Sequence, residues 1–240
     1  MVDARMVDAP LLDGPRGTPR LGAHAMGFYH LAMSNATSIA TSTMTTQASG
    51  SMIIVGVGRG DKTLFALPTD SKGNTPYRQR DIMHPYAHPF ESSGTALYEF
   101  PSAIGGNGFQ VINSTGPDHI SGQNDEITVT AVEVIAGTQI QQVWNVVIQQ
   151  SPAIPVTSGS ITTTGPATLI AFWWGDAFPG TPQTATPNNG FVVVETNVQE
   201  TGSFVQCAVA VRNVTTAGTY NVTWTSTPVQ GAQLWLVAVQ

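Results

Sequence analysis

The stretch SGSMIIVGVGRGD, Ser49 to Asp61, returns in altered form at Gly165 to Asp176 as GPATLIAFWWGD. Each copy has a Gly within its first two residues, runs through a short apolar segment and closes on Gly-Asp. At a spacing of about 115 residues, Gly50 falls on Gly165, Ile54 on Leu169, Val55 on Ile170, Gly60 on Gly175 and Asp61 on Asp176. Self-similarity at one spacing marks a repeated folding unit.

The likeness continues outward in the same order. Gly108-Phe109-Gln110-Val111 matches Gly218-Thr219-Tyr220-Asn221-Val222 after a one-residue insertion, and Glu126 to Val134 matches Gly231 to Val239. Loops that change length around a common strand set produce this drift in spacing, so a tandem duplication of one all-β unit is expected. The chain of 240 residues is 41% hydrophobic and only 10% charged, against about 25% in an average domain. A surface of Ser, Thr, Asn, Gln and Gly suits pleated strands and tight turns better than helices held by ion pairs.

Taken in order, residues 1–24 carry interspersed Asp and Arg with Pro10, Pro15 and Pro19. They predict an extended N-terminal arm with no fold of its own. The arm lacks the unbroken apolar core of a secretion signal. Strand segments follow from Phe28, with turn chemistry at Asp70-Ser71-Lys72-Gly73-Asn74, where Asp70 can cap and Gly73 can take positive φ. Gln139 to Gln150 reads as a strand that either closes the first unit or bridges the two. Ser151-Pro152-Ala153-Ile154-Pro155 is the expected junction, giving a first domain over 25–150 and a second over 151–240. Short strands separated by turns predict two tandem jelly-roll-like antiparallel β-sandwich domains.

The order of a Gly-led strand, then TDSKGNTPY, then SGTALYEF, a Gly-aromatic strand and a closing strand such as ITVTAVEV or LWLVAVQ resembles β-sandwich modules repeated in phage structural proteins and bacterial surface proteins. Two such units also resemble the double jelly-roll capsid proteins. The resemblance implies a structural role on a virion or an extracellular surface, and it brings no catalytic residue onto this sequence.

Residue chemistry narrows the function further. The net charge of −6, with Arg212 the only basic residue after Asp81, argues against a nucleic-acid backbone as partner. No apolar run approaches the roughly 18 residues of a membrane span. Cys207 lies in the apolar run Phe204 to Val209 and reads as a small buried hydrophobe. His84, His88 and His119 come nearest to a metal set, but Pro85 and Pro89 deny His84-x-x-x-His88 a helix, so no metal and no cofactor is expected. Asp61, Asp70, Asp81 and Asp176 stand in turn positions where calcium could be bound, yet Asp beside Gly reads first as a turn cap. Glu91, Glu99, Glu126 and Glu133 show no pairing of the kind a glycosidase needs, and no Gly-x-Ser-x-Gly elbow is present, so no catalytic residue is assigned. Four Asn-x-Ser/Thr matches, at Asn35, Asn113, Asn213 and Asn221, carry little weight in so Asn- and Thr-rich a chain.

Trp173 and Trp174 are the ligand-binding candidates. Neighbours on a strand face opposite ways, so one indole should enter the core while the other faces outward or packs on an adjoining element. An outward indole would stack on a surface glycan or fill a subunit contact. Two functions follow: a non-enzymatic structural protein that forms homo-oligomers through its sandwiches and arm, or a carbohydrate-binding, adhesive module.

Overall fold

The computed structural model describes residues 17–29, 38–59, 65–83, 94–114, 126–148, 155–176, 183–200, 205–228 and 230–240. These residues are all-β, and every strand pairing among them is antiparallel. In chain order the first strands are β1 (Arg20–Tyr29), β2 (Ser38–Ala40), β3 (Ser49–Arg59), β4 (Thr69–Asp70), β5 (Arg78–Met83), β6 (Gly94–Ile104), β7 (Val111–Ser114) and β8 (Ile127–Ile135). They are followed by β9 (Ile140–Ile148), β10 (Val156–Thr157), β11 (Ile161–Thr163), β12 (Ala167–Asp176), β13 (Thr184–Pro187), β14 (Val192–Thr196), β15 (Val205–Val214), β16 (Gly218–Tyr220), β17 (Thr223–Thr227) and β18 (Ala232–Val239).

Two five-stranded sheets dominate, ordered β1-β8-β3-β6-β5 and β9-β18-β12-β15-β14. Strand for strand, the second order repeats the first. Small sheets accompany them: β2-β7-β4 in the first half of the chain, and β10-β17-β13 with β11-β16 in the second. The β11-β16 pair has its counterpart in the isolated bridge between Met44 and Phe109.

Three apolar cores result, because the inner strands of both large sheets, β8, β3 and β6 in one and β18, β12 and β15 in the other, are largely buried on both faces. One outer core joins Ile53, Val55 and Val57 of β3 to Ile39, Phe109 and Val111 of the small strands. The other joins Leu169, Ala171 and Trp173 of β12 to Val156, Trp224 and their neighbours. The central core lies between the two large sheets, where Ile54, Leu97, Val132 and Val134 meet Ile170, Phe172, Trp174, Trp235 and Val237. Burial on both faces explains why these strands read as nearly continuous apolar runs and not as the alternation of a half-solvated sheet.

The glycines of β3 shape the central core. A Cβ at Gly56 would stand 2.6 Å from Cε1 of Phe172, and one at Gly58 would overlap the Trp174 ring. The two rings stack nearly parallel, 6.2 Å apart at an interplanar angle of 9°. Buried hydrogen bonds also tie the sheets together. Trp235 Nε1 donates to Thr95 Oγ1 at 2.7 Å, and Thr95 Oγ1 donates to Gln233 Oε1 at 2.7 Å. Thr128 Oγ1 donates to the Val205 carbonyl at 2.7 Å, and Asn197 Nδ2 donates to Thr128 Oγ1 at 3.1 Å.

The structure differs from the sequence reading in three places. Of the arm expected over residues 1–24, residues 20–24 belong to β1, where Arg20, Leu21 and His24 pair with Ile135, Val134 and Val132; residues 1–16 lie outside the described residues. The strand left open between closing and bridging is β9, which pairs with β18 in the second large sheet. Pairing therefore passes from one large sheet to the other across Ala136 to Gln139, ahead of Ser151, and residues 151–154 lie outside the described residues. The register of the echo also shifts by one residue. Ile54 faces the central core and Leu169 does not, whereas Ile54 and Ile170 do so together, pairing with Val132 and Val237 respectively. Since side chains alternate with period two, a slip of one residue exchanges the faces of the whole strand.

Replacing Gly58 with Val should overpack the central core against Trp174 and destabilise the fold by about 1–3 kcal/mol, read as a lower midpoint in denaturant titration. An unchanged midpoint would show that the contact between the sheets is looser than described.

Candidate functional site

Both tryptophans proposed as ligand platforms are inside. Trp173 is 0% and Trp174 1% exposed. As neighbours on β12 they point to opposite faces, as expected, but both faces are covered. Trp174 enters the central core over Gly58, and Trp173 enters the second outer core, where its ring occupies the space beside Gly175. The expectation of an adjoining element over the second indole is met, and neither ring offers a face to a sugar or a subunit.

The Asp70 turn is built as its sequence suggests. Asp70 Oδ1 accepts the amides of Lys72 at 2.8 Å and Asn74 at 3.1 Å, while Oδ2 accepts Asn74 Nδ2 at 2.8 Å and the Tyr77 hydroxyl at 2.7 Å. Gly73 has φ +78°. Asn74 in turn donates to the Ile104 carbonyl and accepts its amide, which joins the turn to the end of β6. Three of the four donors to Asp70 come from the turn itself and the fourth from Tyr77 just beyond it, so its carboxylate is a cap. Burial, reinforced by the Asp70 hydrogen bond, pushes the Tyr77 phenol well above its ordinary range. Asp61 lies outside the described residues, as do His84, His88, His119 and Glu91. Among the described residues no group of three His, Cys, Asp or Glu side chains could hold a metal ion.

The buried carboxylates of the first large sheet are not brought together. Glu99 sits opposite Ile54, and Glu133 opposite Ile53, so one faces the central core and the other the outer core. Glu133 accepts the amides of Ala23 at 2.9 Å and Gln47 at 2.8 Å, filling the space left by Gly22 in the β1 bulge. Glu99 receives Arg80 at 3.1 Å and lies 3.6 Å from Arg78. Opposite faces of one sheet cannot serve the two sides of a single glycosidic bond. Cys207 is fully buried, and its amide donates to Asn197 Oδ1 at 2.6 Å; burial pushes its thiol well above the usual range.

Two surface features had no signal in the sequence. A crevice of about 510 Å³ is lined by Gly17, Gly50, Ser102, Ala136 and Thr138. Ser102 and Ala136 have positive φ, 53° and 60°, but among the described residues the lining carries no titratable side chain. The second feature is the rim where β1 and β14 lie together. His24 Nδ1 and Glu195 Oε1 stand 2.7 Å apart there, linking the edges of the two large sheets, and the Leu21 amide donates to Asn213 Oδ1 at 3.2 Å. Beside them Val192 of β14 is 66% exposed. Such a rim is suited to contact with another chain more than to chemistry.

The Tyr77 phenol holds its proton more tightly in the folded chain than in the unfolded one. Stability from this group is thus complete below about pH 10 and falls as pH rises beyond it, and Tyr77→Phe should flatten that alkaline decline in urea titrations. At neutral pH the same variant should cost about 1.5–3 kcal/mol for its bond to a carboxylate. Tyr98, whose buried hydroxyl has no partner, should tolerate replacement by Phe with little loss. The reverse ranking of the two variants would overturn this assignment. Comparison with protein-family models, curated proteins and solved structures finds no match to this chain.

Proposed function

We propose that the chain is a non-enzymatic structural subunit, made of two jelly-roll-like sandwiches that arose by tandem duplication and assembling with copies of itself. The repeated order of pairing supports this most directly. The run β1-β8-β3-β6 beside β2-β7-β4, and its counterpart β9-β18-β12-β15 beside β10-β17-β13, support a reading of each half as a jelly roll. In this reading β5 and β14 have joined the large sheets instead of the small ones.

A low charge density favours assembly, because surfaces of Thr, Asn and Gln can meet without stripping water from many ions. Open sheet edges supply the means, since an edge strand carries unpaired amides and carbonyls that another chain can satisfy. A virion shell or appendage, or an extracellular filament, is the setting that suits such a subunit. The carbohydrate-binding alternative loses its support, because both indoles it depends on are buried.

Light scattering across a concentration series, with negative-stain microscopy of the same samples, tests the reading. Oligomers that grow with concentration and show a repeating subunit are expected, and removal of residues 1–16 should weaken them. A monodisperse monomer at every concentration would overturn it.

A further inference from the structure

Two places in this chain set an asparagine directly before a glycine, Asn107-Gly108 and Asn189-Gly190, and each is followed by a phenylalanine, Phe109 and Phe191. Both asparagines are exposed. In such a pair the glycine amide can close on the asparagine carboxamide, because no Cβ stands in its way. Beyond the asparagine the two sites read alike, so any difference in their reactivity has to come from the fold.

Around Asn107 three separate parts of the chain meet. Thr45 Oγ1 donates to Asn107 Oδ1 at 3.2 Å, the atom on which negative charge gathers when Cγ is attacked. Lys72 Nζ, from the Asp70 turn, donates to the Asn107 carbonyl at 2.8 Å. That bond draws electron density from the Gly108 nitrogen and makes its proton easier to remove. Asn107 Nδ2, the nitrogen that would have to leave, makes no hydrogen bond among the described residues. The turn is anchored on either side: the Thr46 amide donates to the Gly106 carbonyl at 3.3 Å, and Met44 and Phe109 exchange backbone bonds at 2.9 Å. Asn189 is placed otherwise. Arg212 Nη1 donates to its carbonyl at 2.7 Å, but its Nδ2 is held by the Asn221 carbonyl at 3.2 Å and by Asn221 Oδ1 at 2.9 Å. Among the described residues no donor reaches Asn189 Oδ1.

We propose that Asn107 is a site of spontaneous covalent modification, converting to aspartate and isoaspartate through a succinimide, with Thr45 and Lys72 assisting. A bond forms between Gly108 N and Asn107 Cγ, the Cγ–Nδ2 bond breaks, and Nδ2 leaves as ammonia with the proton given up by the Gly108 amide. Water then adds to either carbonyl of the ring and opens it. One water is consumed and one ammonia released, and no oxidant or reductant is needed. The product sets a new carboxylate beside Lys72. Its isoaspartate form also lengthens the backbone by one methylene next to Phe109, which anchors the first outer core. This chemistry is independent of the assembly reading.

The test is peptide mapping by mass spectrometry of the full chain aged in mildly alkaline buffer, following the amide-to-acid mass change at each site and the isoaspartate formed. In the folded chain Asn107 should convert about tenfold faster than Asn189, and Thr45→Val and Lys72→Met should each slow it by about threefold. Thr45→Ser, which keeps the hydroxyl, should retain the wild-type rate. In urea, where only the local sequence acts, the two sites should convert at about the same rate. Equal rates in the folded chain, or a faster Asn189, would overturn the site. A preference for Asn107 that persists in urea, or that survives both Thr45→Val and Lys72→Met, would overturn the part given to the fold.

Discussion

Two glycines facing two aromatic rings hold this structure together. Gly56 and Gly58 leave a bare strip on the inward face of β3, and Phe172 and Trp174 of β12 lie in it as a stacked pair. Interiors are packed at the density of organic crystals, so a large ring on one sheet requires an absent side chain on the other. The contact joins the two stretches of sequence that most resemble each other. They occupy equivalent strands, yet one has become the groove and the other the ridge. Two facing strands need this difference if they are to pack on one another, since two ridges would clash and two grooves would leave a void.

The same contact fixes the layering. Once the inward faces of the large sheets are joined, each sheet must bury its other face against the small strands of its own half. The polar side chains inside are consistent with this arrangement. Thr95, Thr128, Asn197, Gln233 and Trp235 bond to each other or to backbone across the central layer, where an unmatched polar group would be costly. Glu133 fills the bulge of β1, accepting the Ala23 amide there and the Gln47 amide ahead of β3. Its role is to accept what the irregular backbone cannot pair.

The burial of Trp173 and Trp174 changes where interaction surface is to be sought. With both faces of β12 covered, neither the largest side chains nor the buried carboxylates reach solvent as a group. Among the described residues, the crevice beside Gly17 and the rim of β14 present backbone and small or medium-sized side chains to solvent. Recognition through main-chain edges leaves little trace in side-chain chemistry, which is why no motif pointed to these places.

Composition and pattern by themselves determined that this chain is all-β, that similar strand segments occur twice along it, and that Asp70 caps a turn around Gly73. Those properties depend on residues close together in sequence, on β-branched and apolar runs bounded by turn residues, and on the few residues that accept positive φ. Which face of each strand is inner, which sheet receives β9, and whether Trp173 and Trp174 are covered were decided by the tertiary structure. A strand apolar on both faces carries no alternation to orient it, and an offset read from such runs can slip by one residue without penalty until a specific partner, here Phe172 against Gly56, fixes the register.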